Sequence, residues 1–294
     1  MDRTNPAAQP RAMPDWRERY RHKLLTADEA VRRIRDGDTI RLPMGSVPVG
    51  LVEALARRCE ERSGVRVFQG ASRYPLPFAQ PGWEGSDHIA FICDFVSLSV
   101  RPGMDARCID FLVTDYSIGS RSQYEQRADL WHPDVFLAPV SEPDASGMVS
   151  FGYSLWHSRA FLENARLRIA EVTPGTIRTG GENRVALDQF DWIVEASEPP
   201  TLPPLPELSP ERIEVTEVIG AYVSTLVRDG DTIQVGTGTL SSCMGSYLEH
   251  KNDLGIDAEI LVPSTVNLVK LGVATGRNKT FHPGLATASF IVPG

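Results

Sequence analysis

Between residues 26 and 69 the hydrophobic positions fall into a regular grammar. Thr26 with Glu29 three residues later forms a capping box, and Ala30, Val31 and Ile34 mark the inner face of a short amphipathic helix that Gly37 ends. Residues 39–42 predict a short strand, residues 43–47 a loop carrying Gly45, and Pro48 the start of a helix that turns Leu51, Val52 and Leu55 inward. A second strand follows at residues 65–69.

The same grammar recurs later in the chain. Arg35-Asp-Gly-Asp-Thr-Ile40 is repeated as Arg228-Asp-Gly-Asp-Thr-Ile233, and one gapless offset also matches Gly45 to Gly238, Leu55 to Leu248 and residues 65–67 to 258–260. In this second copy Ser209 and Pro210 read as N-cap and first helical residue, and Val215, Val218, Ile219, Tyr222, Val223 and Leu226 predict a buried face. A strand at 232–235, the loop Gly236-Thr237-Gly238, a helix at 240–248 and a strand at 258–262 holding Glu259 complete it. On this offset Arg66 occupies the place of Glu259 in the first copy.

Between the copies, residues 89–95, 135–140, 167–172 and 190–194 predict strands and residues 154–165 a helix. Apolar strands alternating with helices predict an α/β protein of two similar, open, mostly parallel sheet domains, the second present only in part. The proline-rich run 198–210 is read as the domain boundary, with a structured surface loop as the alternative. This gives an arm at 1–15, a first domain at 16–205 and the N-terminal part of a second at 206–294.

Composition narrows the function. The 294 residues, 41% hydrophobic and 23% charged, are ordinary for a folded chain and exceed what one core usually holds. A net charge of -8 without a basic stripe argues against nucleic acid, and no apolar run is long enough to span a membrane. The N-terminus is positive but lacks the apolar region of a secretory signal. Four cysteines without a C-x-x-C pair and six histidines without ligand spacing predict no metal site and a reducing, cytoplasmic setting.

Glu259 stands inside an apolar strand pattern, which has two readings: a carboxylate facing a cleft, or an edge strand with its glutamate in water. Gly236-x-Gly238 follows a strand and opens a helix, so its amides can point at developing negative charge, although glycine pairs also make plain tight turns. Glu259 also lies about 20 residues beyond Gly238, the spacing of a ribose-binding acid, so a dinucleotide-binding oxidoreductase is a minor alternative. Against it, Ser241 replaces the third glycine.

At these residues the chain resembles the acetyl-CoA hydrolase/transferase family, which includes acetate-, butyrate- and 4-hydroxybutyrate-utilising CoA-transferases. The resemblance runs from Trp16 nearly to the end. It is carried by Leu25-Thr-Ala-Asp-Glu-Ala-Val31 leading to Gly37-Asp38, the Gly45 loop with Pro48, Asp144 and Gly147 after Val140-Ser141, and Ser150-x-Gly152-x-Ser154. It continues through Ile169-Ala-Glu-Val172, Arg178-Thr179-x-Gly181, Asp191 to Glu195, Gln234-x-Gly236-x-Gly238 and Leu254-Gly255-Ile256 before Glu259.

The resemblance implies a CoA-transferase fold and covalent catalysis by Glu259 on an acyl-CoA thioester, with a carboxylate acceptor or water completing the reaction. It places Gly236, Thr237 and Gly238 at the oxyanion and CoA, and Gly45, Ser150, Gly152 and Ser264 in the substrate pocket. Lys270, Arg277 and Lys279 are basic residues suited to the CoA phosphates. No bound cofactor is implied, since coenzyme A enters as thioester substrate. The chain departs from the family at Asp257 and Ala258 before the glutamate, at Val262-Pro263-Ser264 after it, at Thr173, and at Ser241 or Ser242. It also ends before the family's glycine-rich CoA-binding segment. The expectation is therefore a subunit completed by a second chain in a heteromer, the alternative a non-catalytic CoA- or partner-binding subunit.

Overall fold

The computed structural model of the chain describes residues 15–126, 132–202 and 209–292. The arm, apart from Asp15, and the boundary expected at 205/206 lie outside the described residues.

The first half contains nine strands among the described residues: β1 (Thr39–Arg41), β2 (Val65–Gln69), β3 (Ile89–Cys93), β4 (Asp110–Phe111), β5 (Val135–Val140), β6 (Met148–Ser150), β7 (Leu167–Val172), β8 (Arg184–Ala186) and β9 (Trp192–Glu195). Seven of them make one sheet in the order β4-β3-β2-β1-β5-β7-β9, with every neighbouring pair parallel. β6 and β8 form a separate antiparallel ribbon.

Both faces of this sheet are covered, which is why the central strand β5, Val-Phe-Leu-Ala-Pro-Val, reads as an unbroken apolar run. Along β5, Val135 and Leu137 join one core with Ile40, Leu51, Leu55 and Ile169, while Phe136, Ala138 and Val140 join a second with Phe151, Phe161 and Ala170. The first core lies under the helix Val49–Arg57 and the short capped helix Ala27–Val31, whose Thr26 and Glu29 make the capping box. The second lies under the helix Ser158–Asn164. Residues 154–157, which the pattern assigned to that helix, are extended or turning instead.

In the second half, β10 (Thr232–Ile233) pairs with β11 (Gly255–Ile256), and β12 (Ile260–Leu261) pairs with β13 (Phe290–Ile291), both parallel. The repeated Arg-Asp-Gly-Asp turns match atom for atom. Asp38 Oδ2 accepts from Arg35 N–H and Asp231 Oδ2 from Arg228 N–H, each at 2.8 Å, and Gly37 and Gly230 take φ of +77° and +83°. Both are positions where a side chain would be strained.

The register corrects the gapless alignment. Thr39 pairs with Arg66, whereas Thr232 pairs with Gly255, so the second copy is four residues shorter between these points. Four residues is about one helical turn. The counterpart of Arg66 is Gly255, and Glu259 corresponds to Gly70, just past the carboxyl end of its strand.

The helix Pro210–Leu226 also differs from expectation. Its buried residues are Thr216 and Gly220, while Val215, Val218, Tyr222 and Leu226 are exposed, the last two at 72% and 77%. The two-residue β10 offers this helix too little sheet to cover. Among the described residues no helix is long and apolar enough to cross a membrane.

Candidate active site

Glu259 sits where the strand passes from β11 to β12, with its side chain exposed. Its backbone is held by β13, because the amides of Ser289 and Phe290 both donate to the Glu259 carbonyl, at 3.0 and 3.2 Å. β13 is in turn stitched to the first half. Leu155 N–H donates to the Ser289 carbonyl at 3.0 Å, and Ile291 N–H donates to the Tyr153 carbonyl at 2.9 Å. The glutamate is thereby set against the carboxyl ends of the seven-stranded sheet, where parallel α/β sheets bind ligands.

Aromatic rings line this junction. Phe290 stacks on Trp156 with centroids 4.7 Å apart and planes 8° apart, and Tyr116 packs edge-on against Trp156 at 6.1 Å and tilted by 40° against His157 at 4.8 Å. Gly45, with φ of +73°, lets the ring of Phe290 approach so closely that a Cβ there would lie 2.6 Å from it. The Gly45 loop is fixed by Ser154 Oγ, which donates to the Met44 carbonyl at 2.6 Å. Gly45 thus lies beside the Glu259 strand.

Charge is concentrated around those rings. Burial pushes the Tyr116 hydroxyl above its usual range, and the negative charges of Glu259 and Asp94 push it further. Burial holds His157 below the ordinary histidine value, opposed by Asp94. Arg41, beneath the rings of Phe68 and Phe161 at 4.5 and 5.3 Å, is lowered to about 10 by burial. Sequence patterning missed Tyr116, Trp156, His157 and Phe290 because they lie in loops or a two-residue strand. Asp94 left one trace, since it breaks an apolar run at the carboxyl end of β3.

The other expected residues divide into several places. Gly236, Thr237 and Gly238 form an exposed loop closed by Ser241, whose hydroxyl donates to the carbonyls of Gly236 and Gly238, both at 3.0 Å. Ser264 caps the neighbouring turn by donating to the Ser242 carbonyl at 2.6 Å. Ser150 is buried, and its hydroxyl accepts from the amides of Gly152 and Thr179 at 3.0 and 3.3 Å. Gly152, at φ +69°, completes that turn, and Asn183 donates to its carbonyl at 2.9 Å.

Lys270 ends the helix Pro263–Lys270 in solvent, and Arg277 is exposed in an ion pair with Asp253 at 2.9 Å. Lys279 does not fit a phosphate-binding role. It is 6% exposed, and its ammonium donates to the Ile256 carbonyl, the Leu285 carbonyl and Thr287 Oγ1 at 2.8, 2.9 and 2.8 Å. Those bonds use its three protons.

A cleft of about 900 Å³ opens elsewhere, lined by Leu25, Gly50, Tyr74, Glu171 and Glu195 and by none of the residues around Glu259. Glu171 is buried there against the first turn of the helix Val49–Arg57, accepting from Leu51 N–H at 2.8 Å, and burial raises it to about 7.

No family model matches the chain. Over 280 residues it is 31% identical to the 4-hydroxybutyrate coenzyme A transferase of Clostridium kluyveri, an alignment covering 95% of this chain and 63% of that protein. The crystal structure of RipA from Yersinia pestis superposes with a TM-score of 0.83 at 27% identity, covering 95% of this chain and 65% of that one. A 4-hydroxybutyrate CoA-transferase from Porphyromonas gingivalis superposes at 0.74 and 25% identity, with the same coverage. The chain is a homologue of CoA-transferases and has their fold. It spans less than two thirds of the length of these relatives. Of the two places, the carboxyl-end junction at Glu259 and the cleft at Glu171, the first holds its carboxylate exposed and is the candidate active site.

Proposed function

We propose that the chain is a subunit of an acyl-CoA:carboxylate CoA-transferase in which Glu259 is the nucleophile. The observation that carries this reading is the placement of an exposed carboxylate, backbone-fixed by β13, against an aromatic wall at the carboxyl ends of a CoA-transferase sheet. The Glu259 carboxylate attacks the thioester carbonyl, and the C–S bond breaks to give a mixed anhydride and CoA thiolate. The thiolate then attacks the glutamyl carbonyl, releasing the first carboxylate and leaving a glutamyl-CoA thioester. The acceptor carboxylate attacks that thioester and expels the thiolate, which takes the new acyl group and frees Glu259. Water in place of the acceptor makes the enzyme a hydrolase.

Amides of the Gly236–Gly238 loop supply the oxyanion donors in this scheme, and losing one such donor typically costs about 100-fold in rate. Lys270 and Arg277 are the cations assigned to the CoA phosphates. The exposed apolar face of Val215, Val218, Tyr222 and Leu226 supports a partner polypeptide that covers this helix and completes the second domain in a heteromer. The setting proposed is the cytoplasm.

The test is intact-mass measurement after exposure to acyl-CoA, alone and with the partner that co-purifies. A CoA adduct on wild type, absent from Glu259→Ala, supports the nucleophile; an adduct retained by that variant removes it. If CoA protects the chain thermally but no adduct or turnover forms with the partner, the chain is a non-catalytic binding subunit.

A further inference from the structure

Alternation along β7 places Leu167, Ile169 and Glu171 on one face of the sheet. The first two join the core beneath the helix Val49–Arg57, so an apolar side chain is what the third position calls for. A glutamate stands there instead, 2% exposed. Burying a carboxylate is costly unless a cation answers it. None does among the described residues: the groups that oppose burial at Glu171 are the backbone amides of Leu51, Gly50 and Val49. The carboxyl fits against them because residue 50 is glycine, where a Cβ would lie 2.9 Å from Glu171 Oε2.

The same side chain lines the cleft of about 900 Å³. That volume suits a small organic ligand. The position suits one too, because Glu171 is in register with Val194 near the carboxyl ends of β7 and β9, the end at which parallel sheets bind ligands.

Charge selects the ligand. Glu29, Glu195 and Glu198 line the cleft with Glu171, and no lysine, arginine or histidine does among the described residues. Glu29 is engaged by the amide and hydroxyl of Thr26, and Glu195 by Arg17. Glu198 is exposed and makes no ion pair among the described residues. The carboxylates left to a ligand are therefore Glu171 inside and Glu198 at the rim. An anion is repelled there, a neutral alcohol leaves both charges unanswered, and a cation is favoured by both.

Shape narrows the class further. Leu25, Val49, Val194 and Pro199, with the ring of Tyr74, give the wall an apolar surface that suits a hydrocarbon body. The slight exposure of Glu171 admits only a narrow head. A primary ammonium has that form and carries three N–H donors, whereas a trimethylammonium is wider and donates none.

We propose that this cleft is a binding site for small organic amines, in which a primary ammonium pairs with Glu171 and the hydrocarbon part lies on the apolar wall. The site is separate from the junction at Glu259 and does not depend on the chemistry there.

The experiment is titration calorimetry of the full chain at pH 8, where Glu171 is ionised, with hexylamine, 1-hexanol and trimethylhexylammonium. Hexylamine is expected to fill one site and to bind about tenfold or more tighter than either of the others, the scale of one charge-assisted hydrogen bond. Glu171→Gln keeps the shape and removes the charge, and should bring hexylamine within about threefold of hexanol. Gly50→Ala, whose methyl would press on the Glu171 carboxyl, should weaken hexylamine by about tenfold and gives the same test if the first variant does not fold.

Absence of hexylamine binding, equal binding of hexylamine and hexanol, or equal binding of the two cations overturns the proposal. So does a preference for hexylamine that both variants keep, since the amine would then be meeting the acidic surface elsewhere.

Discussion

Trp156 and Phe290 stack almost parallel, 4.7 Å between centroids, although one follows the β6 ribbon and the other lies at the end of the described chain. The pair clamps β13 to the first half, and β13 holds the Glu259 carbonyl. Phe290→Ala is expected to lower stability by about 3 kcal/mol, because a ring only 8% exposed leaves a cavity. Urea denaturation followed by tryptophan fluorescence checks this. A loss below 1 kcal/mol would mean that the clamp contributes little.

Gly45→Ala should injure the same clamp from the other side. A methyl there carries two penalties, a left-handed backbone at φ +73° and a contact 2.6 Å from the Phe290 ring. We expect a fall of about 2 kcal/mol and reduced adduct formation at Glu259. Gly37→Ala, whose Cβ would meet nothing within 4 Å, carries only the backbone penalty and should leave adduct formation near wild type.

Glu171 makes stability depend on pH. Its folded value of about 7 stands above the ordinary 4.5 because the carboxyl is buried, against the opposing amides of Leu51, Gly50 and Val49. Between these values the unfolded chain has released the proton that the folded chain still binds, so this group's contribution to stability falls as pH rises from about 4.5 to about 7 and is level above. The loss is at most about 3 kcal/mol. Glu171→Gln should lack that slope, so the variant gains on wild type as pH rises. Urea midpoints at pH 5, 6, 7 and 8 that run parallel for the two proteins would reject this.

Lys279→Met is expected to act on folding rather than on ligand binding. It strands the carbonyls of Ile256 and Leu285, Thr287 Oγ1 and the carboxylate of Asp257, at a cost of about 2 kcal/mol or more. Lys270→Ala, at an exposed helix end, should leave the melting temperature within a degree or two and weaken CoA binding. If titration calorimetry finds CoA affinity unchanged in Lys270→Ala, the phosphate assignment of that residue is wrong.

Strands covered on both faces were legible in the sequence where their apolar runs are unbroken, as in β3 and β5, and β2 and β7 were legible although Arg66, Gln69, Arg168 and Glu171 interrupt theirs. β4 was not, since Asp110 and Phe111 are both exposed and give no period to read. The capping box at Thr26 was legible because short-range hydrogen bonds are encoded locally, and the turn at Asp144, one of the residues carrying the family resemblance, is held by bonds of the same kind. The Asp144 carboxylate accepts from Ser146 and Met148 and is held near 2, chiefly by the Ser146 hydroxyl. The register of Glu259 was not legible, because a repeat shortened by four residues still aligns without a gap over its best-matching words. The aromatic wall depends on residues brought together only by tertiary pairing, and no local period marks it.

The antiparallel stitch between residues 153–155 and 289–291 assigns the two halves of the chain unequal tasks. The first half has Gly70 where the second has its glutamate, yet its segment 153–155 pins the strand β13 that holds that glutamate's backbone. It works as a jig: chemistry can be altered at the residues around Glu259 while the tool that aligns them stays untouched. Substitutions that change what is transferred can therefore accumulate on one side of the stitch without loosening the aim of the nucleophile on the other.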